Sequence, residues 1–240
     1  MKKELYTAIF DVDGLILDSE VFYAKAWTDA FNLNSLKKHQ VDEDFMKDWF
    51  YNNLSGKKIG QQLEYIQKYF PNNNIPIIYQ EYRKLFAQRL KSEPIKIRDG
   101  FFELVNFLKT CNIKIGVAST SSFDSIKNCF QNSNIDIDLF DAIISGDMGL
   151  EYKPNPAPYL TACKMLNVNV ENAIAFEDSA SGLDSAVNAG IKCFLIPGRA
   201  PISSKTKIKA YAVCKSLSEP ISIIKRSFNL NNKNSIVEKI

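Results

Sequence analysis

Residues 9–15 of the chain read IFDVDGL: a short apolar run leads into two aspartates and a glycine. Asp11 and Asp13 are two residues apart, so in an extended chain their side chains point to the same side. In open α/β sheets, ligands bind at the carboxyl ends of the strands. Two like charges held close together raise the pKa of one of them, which can divide such a pair into a nucleophile and an acid. We expect a buried strand that ends in a functional site, with a solvated turn as the simpler alternative.

The first apolar run covers residues 7–10, and further runs follow along the chain at residues 113–118, 142–144, 173–176 and 193–196. Most are apolar throughout rather than alternating, which is typical of strands buried on both faces of a parallel sheet. Segments with apolar residues at helical spacing lie between them, at residues 101–110, 123–131, 158–166 and 182–189. This alternation predicts an α/β fold whose core is a doubly wound, mainly parallel, Rossmann-like sheet.

The alternation is interrupted once, between Ser19 and Glu93. Helix-like stretches rich in aromatic residues replace it, at residues 21–31, 42–51, 58–70 and 77–90. We predict an inserted all-helical domain at residues 19–93 and an α/β core domain formed by residues 1–18 and 94–225. The last segment, residues 226–240, is rich in asparagine and lysine and is predicted to be a frayed tail.

The composition is that of an ordinary globular protein, with 45% hydrophobic and 24% charged residues in a chain of 240. No window approaches the apolar length of a membrane span, and we expect no secretory signal before the first strand. A net charge of +3 is too mild to indicate a nucleic-acid partner. The five cysteines are dispersed, which is typical of reduced thiols in the cytoplasm. We expect a cytoplasmic monomer that contacts neither nucleic acid nor membrane.

Polar residues follow the later strands as Asp11 follows the first. Ser119 and Thr120 offer hydroxyl and backbone donors to an anion, Lys153 offers an ammonium group, and Glu177 and Asp178 offer carboxylates. Taken singly, each has a simpler explanation: a helix cap, a solvated lysine or a decorated helix N-terminus. Together they supply ligands for a hard cation such as Mg²⁺ and positive charge for a phosphate. That combination indicates phosphoryl transfer.

These residues follow the order of four known motifs: Asp11-Val12-Asp13-Gly14, Ser119, Lys153-Pro154 and Glu177-Asp178. The order resembles the haloacid dehalogenase (HAD) superfamily. Its extended forms, at residues 10–20 and 176–182, are similar to the branch of β-phosphoglucomutase and CbbY-like phosphatases. The resemblance runs from residue 7 to about residue 198. It implies a helical cap domain inserted after the first motif, which agrees with the predicted helical insertion.

The resemblance also implies a role for each motif residue. Asp11 corresponds to the nucleophile that forms an aspartyl phosphate, and Asp13 to the general acid and base. Ser119 would bind the phosphoryl oxygens, and Lys153 would neutralise charge at the nucleophile. The predicted Mg²⁺ ligands are Asp11, the main-chain carbonyl of Asp13, Glu177 and Asp178. Further candidate contacts to the substrate are Gly14, Thr120 and Lys57, although a solvated lysine at the start of a helix is the favoured explanation of Lys57.

The leading hypothesis is a Mg²⁺-dependent phosphatase acting on a small phosphorylated metabolite, either a sugar phosphate or a nucleotide-like monophosphate. Asp13 argues against carbon–halogen chemistry, because haloacid dehalogenases lack an acid at that position. The alternative is a phosphomutase of the β-phosphoglucomutase kind. It is disfavoured because Tyr23 stands where that pattern has a histidine, and because no arginine stands near Lys57. A third reading is a HAD-fold binding module without turnover.

Overall fold

The computed structural model describes residues 2–34, 40–54 and 59–230. Its strands, in chain order, are β1 (Lys3–Glu4), β2 (Thr7–Phe10), β3 (Lys114–Ala118), β4 (Ala142–Ile144), β5 (Ala173–Glu177), β6 (Lys192–Leu195), β7 (Ala212–Val213) and β8 (Phe228–Asn229). Its helices are α1 (Glu20–Leu33), α2 (Glu43–Asn53), α3 (Ile59–Tyr69), α4 (Ile75–Ser92), α5 (Phe101–Thr110), α6 (Phe123–Asn132), α7 (Ala157–Leu166), α8 (Ala180–Asn188), α9 (Ser204–Lys207) and α10 (Glu219–Ser227).

The main sheet has the order β4-β3-β2-β5-β6-β7, and every neighbouring pair is parallel. Strand β2 lies inside the sheet, with Ile9 opposite Gly116 on one side and Ala175 on the other. The first carboxylate after β2 therefore emerges between the ends of β3 and β5. This topology confirms the α/β fold with a mainly parallel sheet that the sequence predicts.

A hydrophobic cluster covers each face of the sheet. Neighbouring residues of one strand belong to different clusters, because alternate residues of a strand point to opposite sides. Phe10 belongs to a cluster that contains Phe101 of α5 and Phe130 of α6. Ile9 belongs to a separate cluster with Tyr159 of α7. Strands buried on both faces explain the uninterrupted apolar runs of the sequence.

Helices α1–α4 lie between β2 and α5 in the chain and build a hydrophobic cluster of their own. Trp27 is fully buried there and stacks on Tyr82 of α4, with the ring centroids 4.2 Å apart. The aromatic richness of this segment thus serves packing. Its division from the α/β core into a separate domain at residues 19 and 93 stays a prediction.

The predicted frayed tail begins too early in the sequence. Helix α10 continues through Ser227, and the side chain of Phe228 is only 2% exposed. Strand β8 then pairs in parallel with β1, with Phe228 opposite Lys3. The prediction is wrong for residues 226–230, since a buried phenylalanine and a paired backbone hold them. Residues 231–240 lie outside the described part of the chain.

Two further observations bear on the compositional expectations. Within the described residues, no helix combines the length and the hydrophobicity that crossing a membrane requires. All five cysteines are buried and free of disulfides. The cytoplasmic location stays a prediction.

Candidate active site

Lys153 joins the ends of three strands. Its Nζ atom donates to Asp11 Oδ1 and to Glu177 Oε1, both at 2.6 Å, and to the carbonyl oxygen of Ala118 at 2.8 Å. Burial acts to lower the pKa of Lys153, but the negative charges of Asp11 and Glu177 outweigh it and raise that pKa above its usual value. The lysine is therefore a fixed positive charge at the centre of the site.

The carboxylates of Asp11, Glu177 and Asp178 form a buried cluster, and one oxygen from each lies within 4.8 Å of the others. Three carboxylates around the single ammonium of Lys153 carry an excess negative charge. Burial, opposed by Lys153 and assisted by Glu177 and Asp13, raises the pKa of Asp11 to about 8. Burial first, then Asp11 and Glu177, also raise the pKa of Asp178 well above its usual value. A divalent cation with oxygen ligands fits this cluster, since it would supply the missing positive charge.

Asp13 lies in a different environment from Asp11. Its Oδ1 atom accepts a hydrogen bond from Ser19 Oγ at 2.9 Å, and its Oδ2 atom accepts one from Ser121 Oγ at 2.7 Å and a longer one from Ser119 Oγ at 3.5 Å. Among the described residues, no cation pairs with it within 4.0 Å. The two aspartates are thus separated chemically, one held by an ammonium group and the other by hydroxyl groups.

The remaining candidate residues differ in how close to the site the structure places them. Ser119 is buried directly after β3, and its Oγ atom accepts from the backbone N–H of Ser121 at 3.0 Å. Thr120 is exposed on the same loop. Gly14 is buried against the acidic cluster: a Cβ atom there would lie 2.1 Å from Asp178 Oδ2, and its φ of +82° also favours glycine. Lys57 lies outside the described residues.

The position of Glu177 depends on two further residues to which the sequence analysis assigns no role. Tyr159 of α7 donates from its hydroxyl group to Glu177 Oε1 at 2.7 Å. Gly182, in the first turn of α8, leaves room for this carboxylate, because a Cβ atom there would lie 1.9 Å from Glu177 Oε1. The sequence signals the glycine as part of an extended motif, whereas nothing in the spacing of Tyr159 distinguishes it from a core tyrosine.

The excess of buried carboxylates predicts an unusual pH dependence of stability. The pKa of Asp11 rises from 3.8 to about 8 on folding, so between these values the folded state binds more protons than the unfolded state. The free energy of unfolding of the metal-free protein should therefore increase as the pH falls from 8 to 6, on the order of 1 kcal/mol per pH unit for one such group. Urea unfolding in the presence of a chelator, measured across this range, checks the sign.

The controls separate this effect from other titrating groups. Asp11→Asn lacks the group and should show a shallower dependence. Mg²⁺ should flatten the dependence in the unchanged protein, because a bound cation takes the place of the proton. Stability that rises with pH in the metal-free protein would contradict this account of the site.

Comparison with known proteins agrees with this geometry. Residues 8–196, well over half of the chain, match the haloacid dehalogenase-like hydrolase family. The protein belongs to that family, as the four motifs predicted.

The chain is similar to both phosphatases and mutases within the family. It is 28% identical to the phosphorylated carbohydrates phosphatase of Thermotoga maritima, over 77% of this chain and 81% of that protein. It is 30% identical to the β-phosphoglucomutase of Bacillus subtilis, over 76% of this chain and 79% of that protein. The crystal structure of a CbbY mutant from Rhodobacter sphaeroides, in complex with xylulose-1,5-bisphosphate, superposes with a TM-score of 0.63 over 90% of this chain and 96% of that chain, at 23% identity. The phosphatase relatives support the prediction of a phosphoric monoester hydrolase.

Proposed function

We propose that the protein is a Mg²⁺-dependent phosphatase that hydrolyses a small phosphorylated sugar through an aspartyl phosphate on Asp11. The observation that carries the proposal is the separation of the two aspartates. Asp11 contacts Lys153 and the acidic cluster, whereas among the described residues the Asp13 carboxylate accepts hydrogen bonds only from hydroxyl groups. Relatives that act on phosphorylated carbohydrates favour a sugar phosphate over a nucleotide-like monophosphate.

The side chains would divide the reaction as follows. A carboxylate oxygen of Asp11 attacks phosphorus, and the bond between phosphorus and the sugar oxygen breaks. Asp13 gives its proton to that oxygen, and then takes a proton from the water that attacks the aspartyl phosphate. This second attack frees Asp11 and releases inorganic phosphate. Lys153 neutralises negative charge in both steps, and Ser119 offers its hydroxyl group to a phosphoryl oxygen.

The metal would be held by Asp11, Glu177 and Asp178, together with the carbonyl of Asp13. When bound, Mg²⁺ supplies charge neutralisation for the phosphoryl oxygens. Helices α1–α4 would form the cap that covers the site during turnover. Two hydrogen-bonded segments lead into and out of this cap, with the Asp18 N–H donating to the carbonyl of Lys96 at 2.8 Å.

A phosphomutase is the second candidate function, favoured by the 30% identity to β-phosphoglucomutase. It would use the same aspartyl phosphate but return the phosphoryl group to another hydroxyl of the sugar. At Tyr23, where that pattern has histidine, the structure places an aromatic ring stacked on Phe86, with centroids 4.4 Å apart. Burial, and then the charge of Asp13, raises the pKa of Tyr23 well above its usual value. Tyr23 would therefore remain a neutral phenol, unable to take the place of a titrating imidazole.

A product assay separates these functions. The purified protein is incubated with a panel of sugar phosphates and nucleoside monophosphates, with Mg²⁺ and with a chelator. We expect Mg²⁺-dependent release of inorganic phosphate, fastest from a sugar phosphate. Conversion of β-glucose 1-phosphate to the 6-phosphate without phosphate release would support the mutase instead. Neither reaction across the panel, in protein that binds Mg²⁺, would favour the binding module without turnover.

A further inference from the structure

Arg98 makes an unusual set of contacts for an arginine near an acidic site. It lies on the segment that leads from α4 back to α5. Its Nη1 atom donates to the carbonyl oxygens of Gly14 at 2.5 Å and Ile196 at 3.3 Å, and its Nη2 atom donates to that of Pro197 at 3.1 Å. Among the described residues no carboxylate lies within 4.0 Å of its guanidinium group, so Arg98 joins three main-chain carbonyls instead of forming an ion pair.

These carbonyls belong to the two loops that enclose the Asp178 carboxylate. A Cβ atom on Gly14 would lie 2.1 Å from Asp178 Oδ2, and a Cβ atom on Gly198 would lie 2.7 Å from the same oxygen. Both glycines therefore lie so close to this carboxylate that a side chain at either position would collide with it, and each glycine belongs to one of the two loops. Arg98 binds the carbonyl of the first glycine and that of Pro197, which directly precedes the second.

The second loop is also tied to the acidic cluster through its backbone. The N–H of Ile196 donates to the carbonyl of Glu177 at 2.7 Å, and the N–H of Gly198 donates to that of Asp178 at 3.1 Å. A shift of this loop would therefore move the strand end that carries both carboxylates. Arg98 fastens this loop to the loop after β2 through main-chain carbonyls, and Arg199 adds a second link through its side-chain contact with Asp18.

We propose that Arg98 is a positioning residue that sets the Asp178 carboxylate for metal binding by clamping the Gly14 and Gly198 loops together. The inference rests on the Mg²⁺ site of the proposed function. The planar guanidinium group presents several donors in a fixed fork, which a lysine ammonium cannot reproduce across three carbonyls. Residues that orient metal ligands commonly change metal affinity about 10- to 100-fold when they are replaced.

The test measures Mg²⁺ binding by calorimetry, without substrate, in Arg98→Lys and Arg98→Ala. Arg226→Lys, at an exposed position on α10, is the matched control and should bind as the unchanged protein does. We expect Arg98→Lys to bind Mg²⁺ roughly 10-fold more weakly while its circular dichroism is unchanged. Arg98→Ala should also bind more weakly. Loss of a positive charge alone would favour a cation, so the expected change has the opposite sign to a simple charge effect.

Chemical rescue distinguishes positioning from general damage. Millimolar guanidinium ion should restore part of the Mg²⁺ affinity of Arg98→Ala and leave that of Arg98→Lys unchanged, because only the alanine variant leaves room for it. Unaltered Mg²⁺ affinity in Arg98→Lys, or a loss of thermal stability in both variants without any change of affinity, would overturn the clamp alone. Absence of Mg²⁺ binding in the unchanged protein would overturn the proposed metal site as well.

Discussion

Replacement of Asp11 by asparagine is expected to abolish phosphate release and to leave the fold intact. The amide is a poor nucleophile, so no aspartyl phosphate can form. The loss should exceed about 10³-fold, on the scale seen when a covalent nucleophile is removed. Folding should survive because Lys153 keeps Glu177 and the Ala118 carbonyl as acceptors, and the asparagine oxygen can replace the lost carboxylate oxygen as the third.

The measurement is phosphate release from the best substrate of the panel, with circular dichroism as the check on folding. Asp138→Asn makes the same chemical change at an exposed position and should keep full activity. Trapping adds a second readout: acid quenching during turnover should recover phosphate bound covalently to the unchanged protein and none bound to Asp11→Asn. Full activity in Asp11→Asn would remove Asp11 from the role of nucleophile.

The sequence predicts most strands of the main sheet, because these strands are buried on both faces. Uniform apolar runs located β2 at residues 7–10 and β4 at residues 142–144, as the structure has them. The sequence does not predict the short strand at the edge of the sheet or the strand pair formed by the two ends of the chain. Strand β7 and the pair of β1 with β8 contain only two residues per strand, and β1 and β8 lie at opposite ends of the chain. A strand of two residues cannot show a periodicity in the sequence, so such pairs are visible only in the folded structure.

The candidate site was predictable where a charged residue directly follows a buried strand. Asp11, Glu177 and Asp178 follow this rule, and the structure brings their carboxylates together. The residues that hold these carboxylates are not predictable in this way, because they reach the site from elements whose sequence has another explanation. Tyr159 reads as a helix core residue, and Arg98 as a surface arginine in a loop. Their roles depend on the distance between chain segments, which local patterns do not contain.

Asp13→Asn is expected to slow the reaction to a degree that depends on the leaving group. A sugar alkoxide needs a proton as it departs, so removal of the acid should lower turnover by about 10²- to 10⁴-fold. The leaving group of p-nitrophenyl phosphate departs as a stable anion and needs no such proton. Attack by Asp11 should therefore remain fast with this substrate, while hydrolysis of the aspartyl phosphate becomes slow for lack of a base.

Rapid-mixing kinetics should then show a burst of about one equivalent of p-nitrophenol per active site in Asp13→Asn, followed by slow turnover. With a sugar phosphate, no burst of the released sugar is expected. Ser121→Ala is the matched control: it removes the 2.7 Å hydrogen bond to Asp13 but keeps the carboxylate, so it should turn over both substrates without a burst. Equal slowing of both substrates in Asp13→Asn, with no burst from either, would contradict its role as acid and base. A burst that appears only with the aryl ester would show that the two chemical steps are separate. It would assign the attack on phosphorus to Asp11 and the proton transfers to Asp13.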